Sequence, residues 1–315
     1  MNIKLTLILT FISTFAVAQE KYYSETELSI PTNSVTINGT LLTPNFVKKS
    51  VLLILIPGSG PTDRNGNSSL TKNNSLKFLA EGLAENNIAT YRFDKSVLSY
   101  TKDNKEKIDY LTFDIFIEEI KTVIQHFKMA TTYSKIIVAG HSQGSLVGMI
   151  ASTTDVDGFI SIAGAGRTID EILVEQISKQ APFLKDETVR IITELKKGNT
   201  VDEFNPMLIS IFNKSVQPFL ISWMKYNPQE ELKKLRIPIL IINGTNDIQV
   251  SVTDAELLHA AKSTSQLQLI ENMNHIFKEI KGDLNENMQS YYNPDLPIMD
   301  ELTSTILKFI SEIRI

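Results

Sequence analysis

The 315-residue chain contains no cysteine, one tryptophan and only four histidines. Without cysteine there is no disulfide framework, no thiolate nucleophile and no lipid-modified cysteine anchor, so stability rests on an apolar core. Any covalent chemistry would have to use a hydroxyl or another side chain. The formal net charge is −5 and no long basic run is present, which argues against nucleic acid as a partner. The chain has no His-Glu-x-x-His pair, no phosphate-cradling glycine loop ending in Gly-Lys-Ser/Thr, and no cluster of His, Asp and Glu. No metal and no cofactor is expected. Leu5 to Phe15 is apolar but shorter than the ~20 residues that span a bilayer. With Lys4 ahead of it and Ala16-Val17-Ala18 behind, this stretch fits a signal peptide over residues 1–18, cleaved before Gln19. That predicts an exported protein, periplasmic or secreted, with no stable membrane insertion of the mature chain.

What remains is ordinary globular composition, 42% apolar and 21% charged. Glu25–Ile30 and Val35–Thr43 read as an antiparallel pair. Val51–Ile56, Ile88–Phe93, Lys135–Ala139, Gly158–Ala163, Ile237–Ile242 and Leu267–Ile270 read as strands, several of them continuously apolar, as in sheets covered on both faces. Helical spacing covers Leu70–Glu85, Leu111–Met129, Ser251–Lys262 and Met299–Ile313. This alternation implies an α/β fold with a mainly parallel, doubly wound sheet. Residues 167–236 break the rhythm with helical pattern and no strand, and read as a cap inserted between core segments 19–166 and 237–315. No internal repeat or low-complexity tract is present.

Gly140-His141-Ser142-Gln143-Gly144 lies between an apolar strand and an apolar helix. Strand, tight turn and helix are the setting in which Gly-x-Ser-x-Gly forms a nucleophile elbow. Ser142 would project above the sheet edge at a helix N-terminus, and Gly140 and Gly144 would let strand and helix approach closely. A serine hydroxyl needs a general base, usually a histidine oriented by a carboxylate. His126 and His259 fall in predicted helices, and His141 sits in the turn pointing elsewhere. His275 follows the last strand, at the sheet edge that carries Ser142, and is the candidate base. Asp247 ends the turn after Ile239–Ile242 and is the candidate acid, whereas Asp254 falls on the next helix and would face solvent. The candidate oxyanion donors are the backbone N–H groups of Gln143 and of Ser59, with Gly58 second.

The chain order Ser142, Asp247, His275 resembles the α/β-hydrolase superfamily across essentially the whole mature chain. More narrowly, Gly58-Ser59-Gly60-Pro61-Thr62-Asp63-Arg64-Asn65-Gly66 is similar to a loop of bacterial carboxylesterases and serine-aminopeptidase-like hydrolases, as are Gly39-Thr40-Leu41 and Pro44. The resemblance implies an α/β-hydrolase fold with a helical cap and hydrolysis of a small ester through an acyl-enzyme. The alternative is a short peptide held at its amino terminus by a cap acid such as Glu171, Glu175 or Glu203. A non-catalytic binding protein on the same scaffold is a third reading. Two departures stand out: Pro57 replaces the frequent histidine, and Asp94-Lys95-Ser96 lacks the glycines of the usual Asp-x-Arg-Gly-x-Gly-x-Ser run. Asp63 and Arg64 read either as a pair bracing the oxyanion loop or as a solvated pair, with Arg92 a further partner for Asp63 or Asp94. Phe183, Phe204, Phe212, Phe219, Trp223 and Tyr226 either line an acyl pocket or hold the cap together.

Overall fold

The computed structural model describes residues 22–103 and 111–313, so the signal-peptide segment lies outside the described residues. These residues form an eight-stranded sheet in the order β1-β2-β4-β3-β5-β6-β7-β8. β1 (Tyr23–Pro31) and β2 (Thr36–Pro44) make an antiparallel pair, and β2 runs antiparallel to β4. β3 (Val51–Ile56), β4 (Ile88–Phe93), β5 (Ile136–His141), β6 (Gly158–Ile162), β7 (Ile239–Gly244) and β8 (Gln266–Ile270) are parallel. The expected mainly parallel, doubly wound sheet is therefore present.

Alternation along β3 shows how the sheet is covered. Leu52, Ile54 and Ile56 enter one apolar cluster, with α3 (Phe113–Ala130), α4 (Gln143–Ala151) and α10 (Val252–Ala261). Leu53 and Leu55 enter the other, with α1 (Ser75–Glu85) and α12 (Asp300–Glu312). Successive side chains point to opposite faces, and both faces are dry. Each such residue contributes roughly 1.5–3 kcal/mol on burial, which a cysteine-free chain needs.

Between β6 and β7 lie α5 (Ile169–Gln180), α6 (Lys185–Lys196), α7 (Ile209–Phe212), α8 (Gln217–Trp223) and α9 (Pro228–Lys234). α5 to α8 share their own apolar cluster, centred on Ile191, Leu195, Phe212 and Leu220, whereas Leu232 of α9 packs into the cluster on the sheet. They attach to α3 through aromatic contacts, with Phe113 stacked on Trp223 at 5.4 Å and Phe116 edge-on to Phe219 at 5.6 Å.

Two short helices have no clear sequence signal, α2 (Val97–Asp103) and α11 (Leu284–Ser290). In α11 the apolar residues Leu284 and Met288 are exposed, and the helix depends on the Asp283 side chain accepting from the N–H groups of Asn285 and Glu286. The helix expected from Leu70 begins only at Ser75. The segment before it is tied down by the buried Asn67, whose Oδ1 accepts from the N–H groups of Asn73 and Asn74.

Candidate active site

β5 delivers Ser142 at its carboxyl end. The residue has φ 54° and ψ −120°, a conformation that L-residues rarely adopt, and α4 starts immediately after it. The glycines on either side are demanded by backbone contact. A Cβ at Gly140 would lie 2.2 Å from the Gly144 carbonyl oxygen, and one at Gly144 would lie 2.6 Å from the carbonyl oxygens of Ile56 and Pro57. The turn is thus pressed against the end of β3, where the Pro57–Gly60 loop begins. A methyl at Gly58 would sit 3.4 Å from Ser142 Cβ, so this loop closes over the serine.

His275 Nδ1 donates to Asp247 Oδ2 at 2.7 Å, with both side chains almost fully buried. That bond leaves Nε2 as the basic nitrogen. The other Asp247 oxygen accepts from the N–H groups of Gln249 and Val250, at 2.8 and 2.9 Å. The carboxylate is therefore held by its own turn as well as by the imidazole. The histidine loop is fixed by the buried Asn274, which accepts from the N–H groups of Ile276 and Lys278 and donates to Asn287 and Ser290. Ser142 and His275 make no hydrogen bond among the described residues; the ring of His141, the residue before Ser142, lies 4.7 Å from that of His275. Catalytic hydrogen bonds are often long in unliganded sites and tighten with substrate.

His141 does not point away from the site, contrary to the expectation from its place in the turn. Its Nε2 donates to the His275 carbonyl at 2.9 Å, and burial pushes its imidazole down to about 3. It is a neutral strut beneath the candidate base. Asp254 likewise departs from expectation. It is 1% exposed and paired through both oxygens with Arg167, because α10 turns this face toward the Gly166 backbone rather than to water. Asp63 and Arg64 do not pair with each other. The Asp63 Oδ1 accepts from the N–H groups of Asn65 and Asn67, while Arg64 makes a bidentate pair with Asp94 and a further one with Glu27. Arg92 is paired with Glu25, at 3.5 Å, rather than with Asp63 or Asp94.

Ser59, Ser142 and Gln143 open on one cavity of about 230 Å³. Its apolar walls come from Leu146, Val250, the α5 residues Ile169, Ile172 and Leu173, and Trp223 of α8. Of the six aromatic residues considered above, Trp223 lines this cavity. Phe212 is buried in the helical segment's own core, Phe183 is exposed, and Tyr226 donates its hydroxyl hydrogen to Asp114. The three acids considered for an amino-terminus site are not on the cavity wall. Glu171 caps α5 and Glu175 pairs with Arg167 and Lys179. A larger hollow, about 740 Å³, lies beside Arg64 and Asp94 and contains none of Ser142, Asp247 and His275. Among the described residues no group of His, Cys, Asp and Glu is placed to hold a metal.

One participant had no signal in the sequence. Lys95, in the turn after β4, is buried, with Nζ donating to the Gly58 carbonyl at 2.9 Å and to the Gln143 side chain. Desolvation pushes its amine down to about 7, with Glu119 acting in the opposite sense.

No family model matches the chain. Among curated proteins it is similar to Esterase EstD of Thermotoga maritima, 25% identical over an alignment of 298 residues that covers 89% of this chain and 68% of that protein. Among solved structures it is similar to the α/β hydrolase GrgF from Penicillium sp. sh18, with a TM-score of 0.61, 15% identity, and coverage of 92% of this chain and 99% of that one. It is also similar to Est1E from Butyrivibrio proteoclasticus, with a TM-score of 0.58, 17% identity, and coverage of 91% and 99%. The fold of this chain is the α/β-hydrolase fold.

Proposed function

We propose that this chain is a serine hydrolase that cleaves small carboxylic esters with Ser142 as nucleophile. The observation that carries this reading is the buried Asp247–His275 hydrogen bond at the sheet edge where Ser142 occupies its strained elbow. The similarity to Esterase EstD supports it independently. Ser142 Oγ attacks the ester carbonyl while His275 Nε2 takes its proton and Asp247 orients the ring. The N–H groups of Gln143 and Ser59 hold the tetrahedral oxyanion. The alcohol leaves with the proton from His275, and water repeats the cycle on the acyl-enzyme.

The cavity, about 230 Å³, is small beside the ~300–1,000 Å³ of sites that take drug-sized ligands. That favours a short acyl or alcohol group, with Ile172, Leu173 and Trp223 as its apolar wall. None of the three acids named for a free amino terminus lines the cavity, and Glu171 and Glu175 are engaged elsewhere, which favours an ester over a short peptide. Export is part of the reading and rests on residues 1–18 alone. No membrane span is required of the mature chain: among the described residues no helix is long and apolar enough to cross a bilayer.

The test is turnover of p-nitrophenyl esters from acetyl to dodecanoyl, alongside aminoacyl-p-nitroanilides, with Ser142→Ala as control. Ester turnover that peaks at short acyl chains and vanishes in the control is expected. Anilide turnover without ester turnover, or full activity of Ser142→Ala, would overturn the reading. Cleavage before Gln19 is checked by the intact mass of the protein recovered from the medium or periplasm.

A further inference from the structure

Lys95 is a buried cation that reaches Gly58 and Gln143, on the two segments beside Ser142, and has no role in the chemistry just described. It reaches two acceptors, and each belongs to a segment that carries a proposed oxyanion donor. The Gly58 carbonyl, which accepts from Nζ at 2.9 Å, is one end of the Gly58–Ser59 peptide unit. The other end is the Ser59 N–H. A trans peptide is planar, with C=O and N–H pointing in opposite directions, so holding the carbonyl at Lys95 aims the Ser59 N–H the other way. Ser59 lines the cavity that also contains Ser142. The second acceptor is the side-chain oxygen of Gln143, whose own backbone N–H is the first free donor of α4. The lysine is itself held. Its backbone N–H donates to the Thr62 carbonyl at 3.1 Å, and its Nζ lies 4.5 Å from the centre of the Phe116 ring.

We propose that Lys95 is a positioning residue for the oxyanion site, fixing the Ser59 and Gln143 N–H groups through the Gly58 carbonyl and the Gln143 side chain. The inference rests on the serine-hydrolase reading above. It goes beyond that reading by assigning the geometry of both donors to one side chain outside the triad. A hydrogen bond to a peptide carbonyl also polarises the peptide, which makes its N–H the better donor. Both anchors survive titration of the amine. An ammonium has three N–H groups, and the neutral amine still has two, one for each acceptor. A lysine can therefore hold this site on either side of neutrality.

The experiment uses the full mature protein carrying Lys95→Met, which keeps the length and removes both donors. With p-nitrophenyl acetate, kcat should fall by about 10- to 100-fold while KM changes less than about threefold, because the donors act on the transition state. Affinity for a trifluoromethyl ketone, which forms a tetrahedral adduct on serine, should fall in parallel with kcat. The melting temperature should fall modestly, because the Gly58 carbonyl and the Gln143 side-chain oxygen lose their donor, so rates are compared at a temperature where the variant is fully folded. A folded Lys95→Met with kcat within about twofold of wild type overturns the proposal, as does a loss confined to KM. If Lys95→Met does not fold, Gln143→Leu keeps the backbone N–H and removes one anchor. It should lower kcat several-fold and weaken the ketone to match, and full activity in that variant also overturns the proposal. Failure of the underlying reading is separable. In that case wild-type protein itself neither turns over esters nor is labelled at Ser142 by a fluorophosphonate.

Discussion

Ser142→Gly and Ser142→Ala remove the same hydroxyl but treat the elbow differently. Both should lower turnover by roughly 10³-fold or more. Ser142 has φ 54° and ψ −120°. Such a conformation costs a residue with a Cβ on the order of 1–3 kcal/mol, and alanine bears that cost as serine does. Glycine adopts positive φ freely, but its larger freedom in the unfolded chain takes back about 0.5–1 kcal/mol. The balance favours Ser142→Gly over Ser142→Ala by about 1 kcal/mol, within a span of about 0 to 2.5. For chains of 150–250 residues 1 kcal/mol moves the melting temperature by about 2–4 °C, and a longer chain sits at the lower end of that range. Ser142→Gly should therefore melt about 2 °C above Ser142→Ala in calorimetry of the mature protein at one pH and salt. Both variants lack the hydroxyl, so any hydrogen bond it makes cancels from the comparison. If Ser142→Gly melts at or below Ser142→Ala, the elbow stores no strain and the reasoning is refuted.

Asp247→Asn should lower kcat by about 10²–10⁴-fold with little change in fold, because an amide no longer fixes the tautomer of His275; steady-state rates and a near-unchanged circular dichroism spectrum check this. His141 is neutral in the folded protein down to about 3, against about 6.5 in an unfolded chain, so it contributes nothing above 6.5 and costs stability as the pH falls from there toward 3. His141→Gln keeps a donor for the His275 carbonyl and does not titrate, so its melting temperature should fall less steeply than wild type between pH 6.5 and 4, and equal slopes would refute the assignment. Arg167→Ala strips the buried Asp254 of its bidentate partner and should cost on the order of 3 kcal/mol by urea titration, with Arg167→Ala/Asp254→Ala recovering part of the loss. Gly144→Ala drives a methyl to 2.6 Å from the carbonyl oxygens of Ile56 and Pro57, at the start of the Pro57–Gly60 loop, so it should lose activity even in the fraction that folds, read as specific activity per fluorophosphonate-labelled serine.

The elements that could be read from the chain are those whose cause is local. The strands from Val51 to Ile56 and from Ile239 to Ile242 are apolar because both faces are dry, and that requirement is written directly in consecutive residues. Gly140 and Gly144 flank a serine because strand and helix touch there, so their spacing is itself the geometry. Asp247 and His275 were legible because each follows a strand at the edge where Ser142 emerges, and the structure brings them into hydrogen-bond contact. The start of α1 was misread by five residues because Leu70 looks like a helix residue. What stops the helix reaching it is Asn67, whose carbonyl oxygen captures the N–H groups of Asn73 and Asn74.

The burial of Asp254 and of Lys95 is not legible in the sequence, for one physical reason. In sequence, a lysine or aspartate outside an apolar stripe reads as solvated, since burying a charge without a partner is costly. Asp254 and Lys95 are buried all the same, because their partners come from distant segments. Arg167 lies 87 residues before Asp254, and Gly58 and Gln143 lie 37 and 48 residues from Lys95. Only assembly of the sheet brings those segments together, so no window along the chain contains both the charge and what satisfies it. The same assembly explains why these residues cluster at the carboxyl ends of the strands. That edge is where loops from different strands meet, and where backbone carbonyls such as those of Gly58 and His275 are left without a sheet partner. A carbonyl in that position needs a donor, and Lys95 and His141 supply it. The demand that draws them into the interior is therefore structural, and their influence on the candidate nucleophile and base follows from which carbonyls they satisfy.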